Sequence, residues 1–308
     1  IADLASRIAA SLFHAQGVIA GSNGSLPTLG ELGRGELPFT SIALFFRIFG
    51  MHDWSGRLPL ALWVVAALIA QVVWVTRFVS ARAAAWSALV SCTMPLVFFQ
   101  ARVMLGDAAT FGTTTLSFVL FSLASLPARD RSPLSPGARI ACAMLGLGFA
   151  GLGVLARGVA IGVAVPALAV SIAYVVSMSP STLHKRLDHV IAVVLGAVGV
   201  AAAITAITIA CRPAPARGIL LVMQGTARAA PSKMPTFESM VTQLGHGLFP
   251  WSAVLPFALA TVVGRLCRHW ARKEAAAVCA LVLFVALDGA MQTWLTSIGE
   301  AFPFAAAA

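Results

Sequence analysis

The chain is a succession of long apolar runs separated by short polar breaks. From residue 58 onward such runs fall at 58–76, 83–101, 108–126, 140–156, 159–178, 189–210, 250–266 and 274–296. Each is close to the ~20 residues that a helix needs to cross a bilayer core. The upstream pattern is different. Over residues 1–21, Leu4, Ile8, Leu12 and Ala15 recur at helical spacing, with Asp3, Arg7, Ser11 and His14 on another face. That predicts an amphipathic helix lying in the interface rather than spanning it. Residues 21–35 read as a Gly/Ser/Pro loop. Pro38 to Met51 predicts a second short apolar helix, at ~14 residues interfacial or re-entrant. The expected architecture is all-α: a polytopic transmembrane bundle over 58–304, preceded by an external segment, 1–57, with two interfacial helices. A long external loop is expected over 212–249, and the alanines at 305–308 are left without interpretation. No internal repeat is visible.

Composition agrees with that pattern. Hydrophobic residues make up 59% of the chain and charged residues 10%, against about 25% charged in an ordinary soluble domain. The net charge of +10 would point to nucleic acid in a soluble protein. Here the bases sit in the breaks between apolar runs, so membrane lipids, not nucleic acid, are the expected surroundings. Arg77 and Arg82, then Arg129, Arg131 and Arg139, then Lys185 and Arg186, then Arg265, Arg268, Arg272 and Lys273 occupy every second connection. The positive-inside rule makes those connections cytoplasmic. The opposite, external face then holds Asp3, Glu31, Glu36, Asp53, Asp107, Glu238 and Glu300, most of the acids, and the longer loops. Any chemistry is expected there. An external first residue also implies a further spanning helix upstream. Trp54, Trp74, Trp86, Trp251, Trp270 and Trp294 fall near predicted helix ends, as an aromatic belt would. The five cysteines show no metal-ligand spacing.

The candidate chemistry centres on Arg34 to Pro59, where Glu36 precedes Pro38 and an Arg57-Leu-Pro triplet leads into the first long run. Asp107 heads AATFGTTTLSF and suits a helix N-cap; Arg102, just before it, could simply snorkel to headgroups. Arg157 interrupts a Gly/Ala/Val-rich hairpin, where a bare charge is costly. His246 reads as a loop histidine, and Asp288, inside the last apolar run, is left without a role.

Four stretches, in order, resemble the bacterial GT-C glycosyltransferases, in particular the dolichyl-phosphate-mannose–protein mannosyltransferase family and the transferases that add aminoarabinose to lipid A. They are Gly35 to Pro59, Ala101 to Asp107 (ARVMLGD), Gly151 to Pro166 (GLGVLARGVAIGVAVP) and His246 to Pro256 (HGLFPWSAVLP). Three departures stand out: the family's lysine after the glutamate is Leu37 here, its lysine in the third stretch is Arg157, and of the acidic pair the family carries upstream of the glutamate only Asp3 has a counterpart here. The resemblance implies a bacterial inner-membrane enzyme that moves a sugar from a polyprenyl-phosphate donor to a lipid, glycan or protein acceptor on the external face. It implies catalytic duty for Glu36, Asp107 and Asp3, and donor-phosphate binding for Arg102, Arg157, Arg212 and Arg217. A divalent metal ion, where the reaction uses one, would sit on Glu36 and Asp107. The alternatives are a non-catalytic subunit of the same fold, which would bring other membrane subunits as partners, and a transporter, which would instead place acids near the bilayer midplane in related halves.

Overall fold

The computed structural model describes residues 2–13, 35–102, 107–127, 134–177, 187–210, 245, 247–268 and 273–298. Among them every regular element is helical. Two helices precede the bundle, α1 (Ala2–Phe13) and α2 (Leu37–Phe49). The bundle itself holds α3 (Asp53–Phe78), α4 (Ala81–Thr93), α5 (Pro95–Arg102), α6 (Asp107–Ser125) and α7 (Pro136–Arg157). A π-helical turn (Ala160–Ala164) runs on into α8 (Val165–Ser177), followed by α9 (Leu187–Ala210), a 3-10 turn (Trp251–Ala253), α10 (Leu255–Arg268) and α11 (Lys273–Ile298).

Five of these segments are long and apolar enough to cross a membrane: α3, α6, α7, the π turn with α8, and α9. Two of the eight runs expected are not single uniform helices. The run 83–101 is two helices, because Met94, extended at φ −72°, ψ 124°, precedes Pro95 and so is held out of the helical region. The run 250–266 opens on a cis Phe249–Pro250 bond and a 3-10 turn before α10 begins. Among the described residues, α10 and α11 are apolar over Leu255–Gly264 and Ala275–Met291. At the other extreme, α3 starts at Asp53, not residue 58, because Ser55 Oγ accepts from the His52 N–H at 3.1 Å and ties the first turn to the Gly50 carbonyl at 2.7 Å.

Small residues set the helix directions. In lipid, packing at close range replaces the hydrophobic drive between helices, so glycine contacts mark the seams. A methyl at Gly146 of α7 would stand 2.7 Å from the Phe121 ring of α6, and one at Gly153 would stand 2.8 Å from the Gly162 Cα of the π turn. Gly199 of α9 abuts Leu168 of α8, and Gln71 Nε2 of α3 bonds Ser87 Oγ of α4 at 2.6 Å. Each pair mirrors about the connection between its helices, so consecutive helices alternate in direction. Gly112 of α6 meets Trp63 of α3, which makes those two helices parallel. The starts of α3, α6, the π turn and α10, and the ends of α5, α7, α9 and α11, therefore share one end of the bundle with α2.

The core divides accordingly. One apolar cluster joins Trp74, Phe118, Phe121, Tyr174 and Phe284 deep between the long helices. Trp74, expected in an interfacial belt, is instead 3% exposed within it, its ring 5.7 Å from Phe118, which stacks at 4.5 Å on Phe284. Trp54 and Trp86 are exposed, as a belt requires. The second cluster ties Ile8 and Ala9 of α1 to Phe39, Ile42 and Phe46 of α2, and these to Leu60, Phe111 and Leu248. The first helix thus seats its apolar side on α2. Three hydroxyls inside α6 are satisfied within the helix: Thr113, Thr114 and Ser117 donate to the carbonyls of Ala109, Thr110 and Thr113, each at 2.8 Å, as an apolar environment favours.

Candidate functional site

The site is assembled at the end of the bundle where α2, α6 and α7 meet. Its basis is Gly35. This residue is buried against the last turn of α7, so close that a β-carbon would run into the carbonyls of Leu155 and Ala156. Backbone packed on backbone leaves no room for any side chain, which is why glycine stands there. The contact brings the start of α2, with Glu36, against the end of α7, which Arg157 closes.

Glu36 occupies the N-cap position of α2 at φ −74°, ψ −31°, yet its side chain makes no capping bond. The cap is closed from the other direction: Thr40 donates its N–H at 3.0 Å and its hydroxyl at 3.2 Å to the Glu36 carbonyl. The half-buried carboxylate is therefore not spent on the helix end. Pro38 at the second helical position has no N–H to lose there. At the far end of α2, Gly50 turns the chain toward α3 at φ 82°, ψ 171°, and Gly158 turns it after Arg157 at φ 91°, ψ 175°. That region of backbone space is essentially restricted to glycine.

Arg157 is 2% exposed, a burial that a guanidinium accepts only with polar company. Its position in the last turn of α7 also places the charge where the helix dipole favours a cation. The head of α6, Asp107, lies at this same end, a little less than one turn beyond the level of Arg157 by the register set at Gly146 and Phe121. The structure thus gathers Glu36, Asp107 and Arg157 at one end, with the placement of Asp107 fixed by its backbone.

Arg102 stands at this end too, at the close of α5, but it is exposed and its guanidinium lies 4.0 Å over the Phe98 ring. Asp3 is in the first turn of α1, the helix that packs on α2. Arg212, Arg217, His14 and His246 lie outside the described residues. Asp288, left without a role above, is fully buried in α11, one turn from Phe284. Among the described residues, no three His, Cys, Asp or Glu side chains gather to hold a metal ion.

The fourth motif stretch closes the corner from another side. Gly247 packs on Leu96 of α5, Leu248 is buried, and the Trp251 indole donates to Thr93 Oγ1 at 2.9 Å. The break between α4 and α5 is thereby filled. Chemically, the arrangement offers a carboxylate that makes no capping bond and a buried guanidinium at the same end of the bundle. Sequence reasoning missed Gly35, whose signal in the sequence is no more than one glycine among several in a loop.

No family model and no curated protein matches the sequence. Two solved structures are similar in fold: ArnT from Cupriavidus metallidurans in the apo state (TM-score 0.67) and the same protein bound to undecaprenyl phosphate (TM-score 0.68). Both are 14% identical in sequence, and each match covers 99% of this chain and 52% of the other. The chain therefore spans about half the length of those proteins. The polytopic helical architecture expected from the four motif stretches is the one the chain adopts.

Proposed function

We propose that the chain belongs to a membrane glycosyltransferase that takes a sugar from a polyprenyl-phosphate carrier and passes it to a hydroxyl of a lipid, glycan or protein acceptor. The active end would be external, on the periplasmic side of a bacterial inner membrane, a reading that the placement of the bases in alternate connections supports. The observation that carries this reading is the seating of Gly35 on the last turn of α7, which brings the start of α2, with Glu36, against the end of α7, with Arg157, at the end where α6 begins. The ArnT-like fold, and the binding of undecaprenyl phosphate by that neighbour, support it.

In the proposed reaction the acceptor oxygen attacks the anomeric carbon of the sugar and the bond from that carbon to the phosphate oxygen breaks. The polyprenyl phosphate leaves with the bonding electrons. Glu36 takes the acceptor's proton, with Asp107 and Asp3 as the further acids of the same end. Arg157 stabilises the charge that develops on the leaving phosphate, aided by Arg102, Arg212 and Arg217; a planar guanidinium suits two phosphate oxygens at once. A divalent cation, where bound, would take its oxygen ligands from Glu36 and Asp107 and neutralise the same charge. No step above requires it.

The test is release of polyprenyl phosphate from labelled polyprenyl-phosphate sugars by the chain in nanodiscs. Glu36→Gln and Asp107→Asn should each slow release by about a hundredfold or more and leave the melting temperature unchanged. Folded variants that turn over as fast as the parent would favour a non-catalytic subunit of this fold.

A further inference from the structure

Among the described residues three charged side chains are buried: Arg157, Asp188 and Asp288. Asp188 is accounted for, since it pairs with Arg139 at 3.5 Å at the opposite end of the bundle. The other two carry opposite charges, and the reaction proposed above uses only Arg157. An acid enclosed at bilayer depth is costly and most often serves a function.

Helix registers bring Arg157 and Asp288 toward one another. Phe284 of α11 stacks on Phe118 of α6 at 4.5 Å, and these two helices run in opposite directions. One turn beyond Phe284, Asp288 therefore stands level with Thr114, one turn before Phe118. Thr114 and Thr110 continue that stripe along α6, and both are buried. On α7, Gly146 meets Phe121, which sets Gly153 level with Thr114 and Arg157 about 6 Å, one turn, above it. A side chain on a helix leans toward the start of its own helix, so Arg157 leans back toward the level of Asp288. The π turn brings the two together laterally. Gly153 packs on Gly162 of that turn, and Arg157 follows one turn later on the same face of α7. Leu287 and Met291, on either side of Asp288 in α11, share a cavity of about 40 Å³ with Ala160 and Ala164 of the same turn. Arg157 and Asp288 thus enter the seam between α6 and the π turn from opposite sides.

We infer that Asp288 is the counter-ion of Arg157 and that the phosphate of the polyprenyl carrier displaces it, an inference that rests on the function proposed above. A buried guanidinium needs an anion in the empty protein as much as in the loaded one. Its planar fork of donors suits a carboxylate or a phosphate. Asp288 supplies the anion while the site is empty, holds Arg157 in place and competes with the carrier for it. That competition loosens the hold on the spent carrier, whose departure frees the site for the next donor. Asp288 is thus a positioning residue that acts on the lipid through Arg157.

The test is undecaprenyl phosphate binding to the full chain in nanodiscs, read by native mass spectrometry beside the melting temperature. Asp288→Asn keeps the shape of the side chain and removes its charge. It should lower the melting temperature of the lipid-free protein by about ten degrees, as loss of one partner of a buried pair does. It should also tighten undecaprenyl phosphate binding by about tenfold, within the range for coupled charges, so that the lipid recovers most of the lost melting temperature. In an Arg157→Gln background the same change should raise the melting temperature and leave binding as it was. If Asp288→Asn alone does not fold, the double variant decides: a folded one supports the pair, and one that also fails overturns it. A parent that binds the lipid, with Asp288→Asn binding it no tighter, overturns the inference and leaves the proposed function standing. Tightening that persists in the Arg157→Gln background would mean that Asp288 repels the phosphate without Arg157, and overturns it as well. A parent that binds no undecaprenyl phosphate removes the proposed function, and the displacement of Asp288 with it.

Discussion

Arg157 and Glu36 differ in what each would lose. Arg157 is buried at a helix end, so Arg157→Gln removes a charge that its surroundings are built around. Arg157→Lys keeps that charge and restores the residue found in the motif this stretch resembles. We expect Gln to weaken undecaprenyl phosphate binding by about ten- to a hundredfold, the range for a lost charge-assisted hydrogen bond, and Lys to retain most of it. Equal binding by both variants in a titration would remove Arg157 from the phosphate site. Glu36 is the opposite case, since its side chain does not serve the α2 cap; its loss should appear in rate and not in stability. Both residues could be read in the sequence because charge is rare in this chain and each stands at a break in an apolar run. Gly35 could not. Its importance comes from contact with Leu155 and Ala156, some 120 residues away, and a loop glycine carries no mark of its partner.

At the level of elements, hydropathy found where apolar helices lie but not where they break. Met94 and Pro95 interrupt one run, and that break becomes a socket for Trp251. Trp251→Phe deletes the bond to Thr93 and should cost about 1 kcal/mol, measured as a fall in melting temperature, with Thr93→Val giving no further loss in the double variant. Trp74 was misplaced for a related reason: an indole near a helix end suits a belt, but the ring of Phe118 lies within reach on α6. The stack of Phe118 on Phe284 joins α6 to α11. Phe284→Ala should cost about 3–5 kcal/mol through the void it leaves, read from thermal unfolding in detergent. A loss under 1 kcal/mol would mean that α11 is held by other contacts.

For the whole molecule, two independent features give the same end to the acids and to the helix junctions: base placement in alternate connections and the glycine registers that alternate helix direction. The sidedness proposed above can be measured. In a cysteine-free background, Asp53→Cys should react with an impermeant maleimide on intact cells, and Arg82→Cys, exposed at the opposite end, only after permeabilisation. The reverse pattern would turn the molecule over. The account as a whole stands on one contact, the backbone of Gly35 against α7. Gly35→Ala adds a single methyl that must push the loop away from Leu155 and Ala156, an overpacking cost of about 1–3 kcal/mol. The decisive measurement is donor turnover by this variant beside its melting temperature. We predict a protein that still melts cooperatively, within about ten degrees of the parent, and releases polyprenyl phosphate as slowly as Glu36→Gln. A folded Gly35→Ala protein with the parent's turnover would contradict the claim that this contact builds the site.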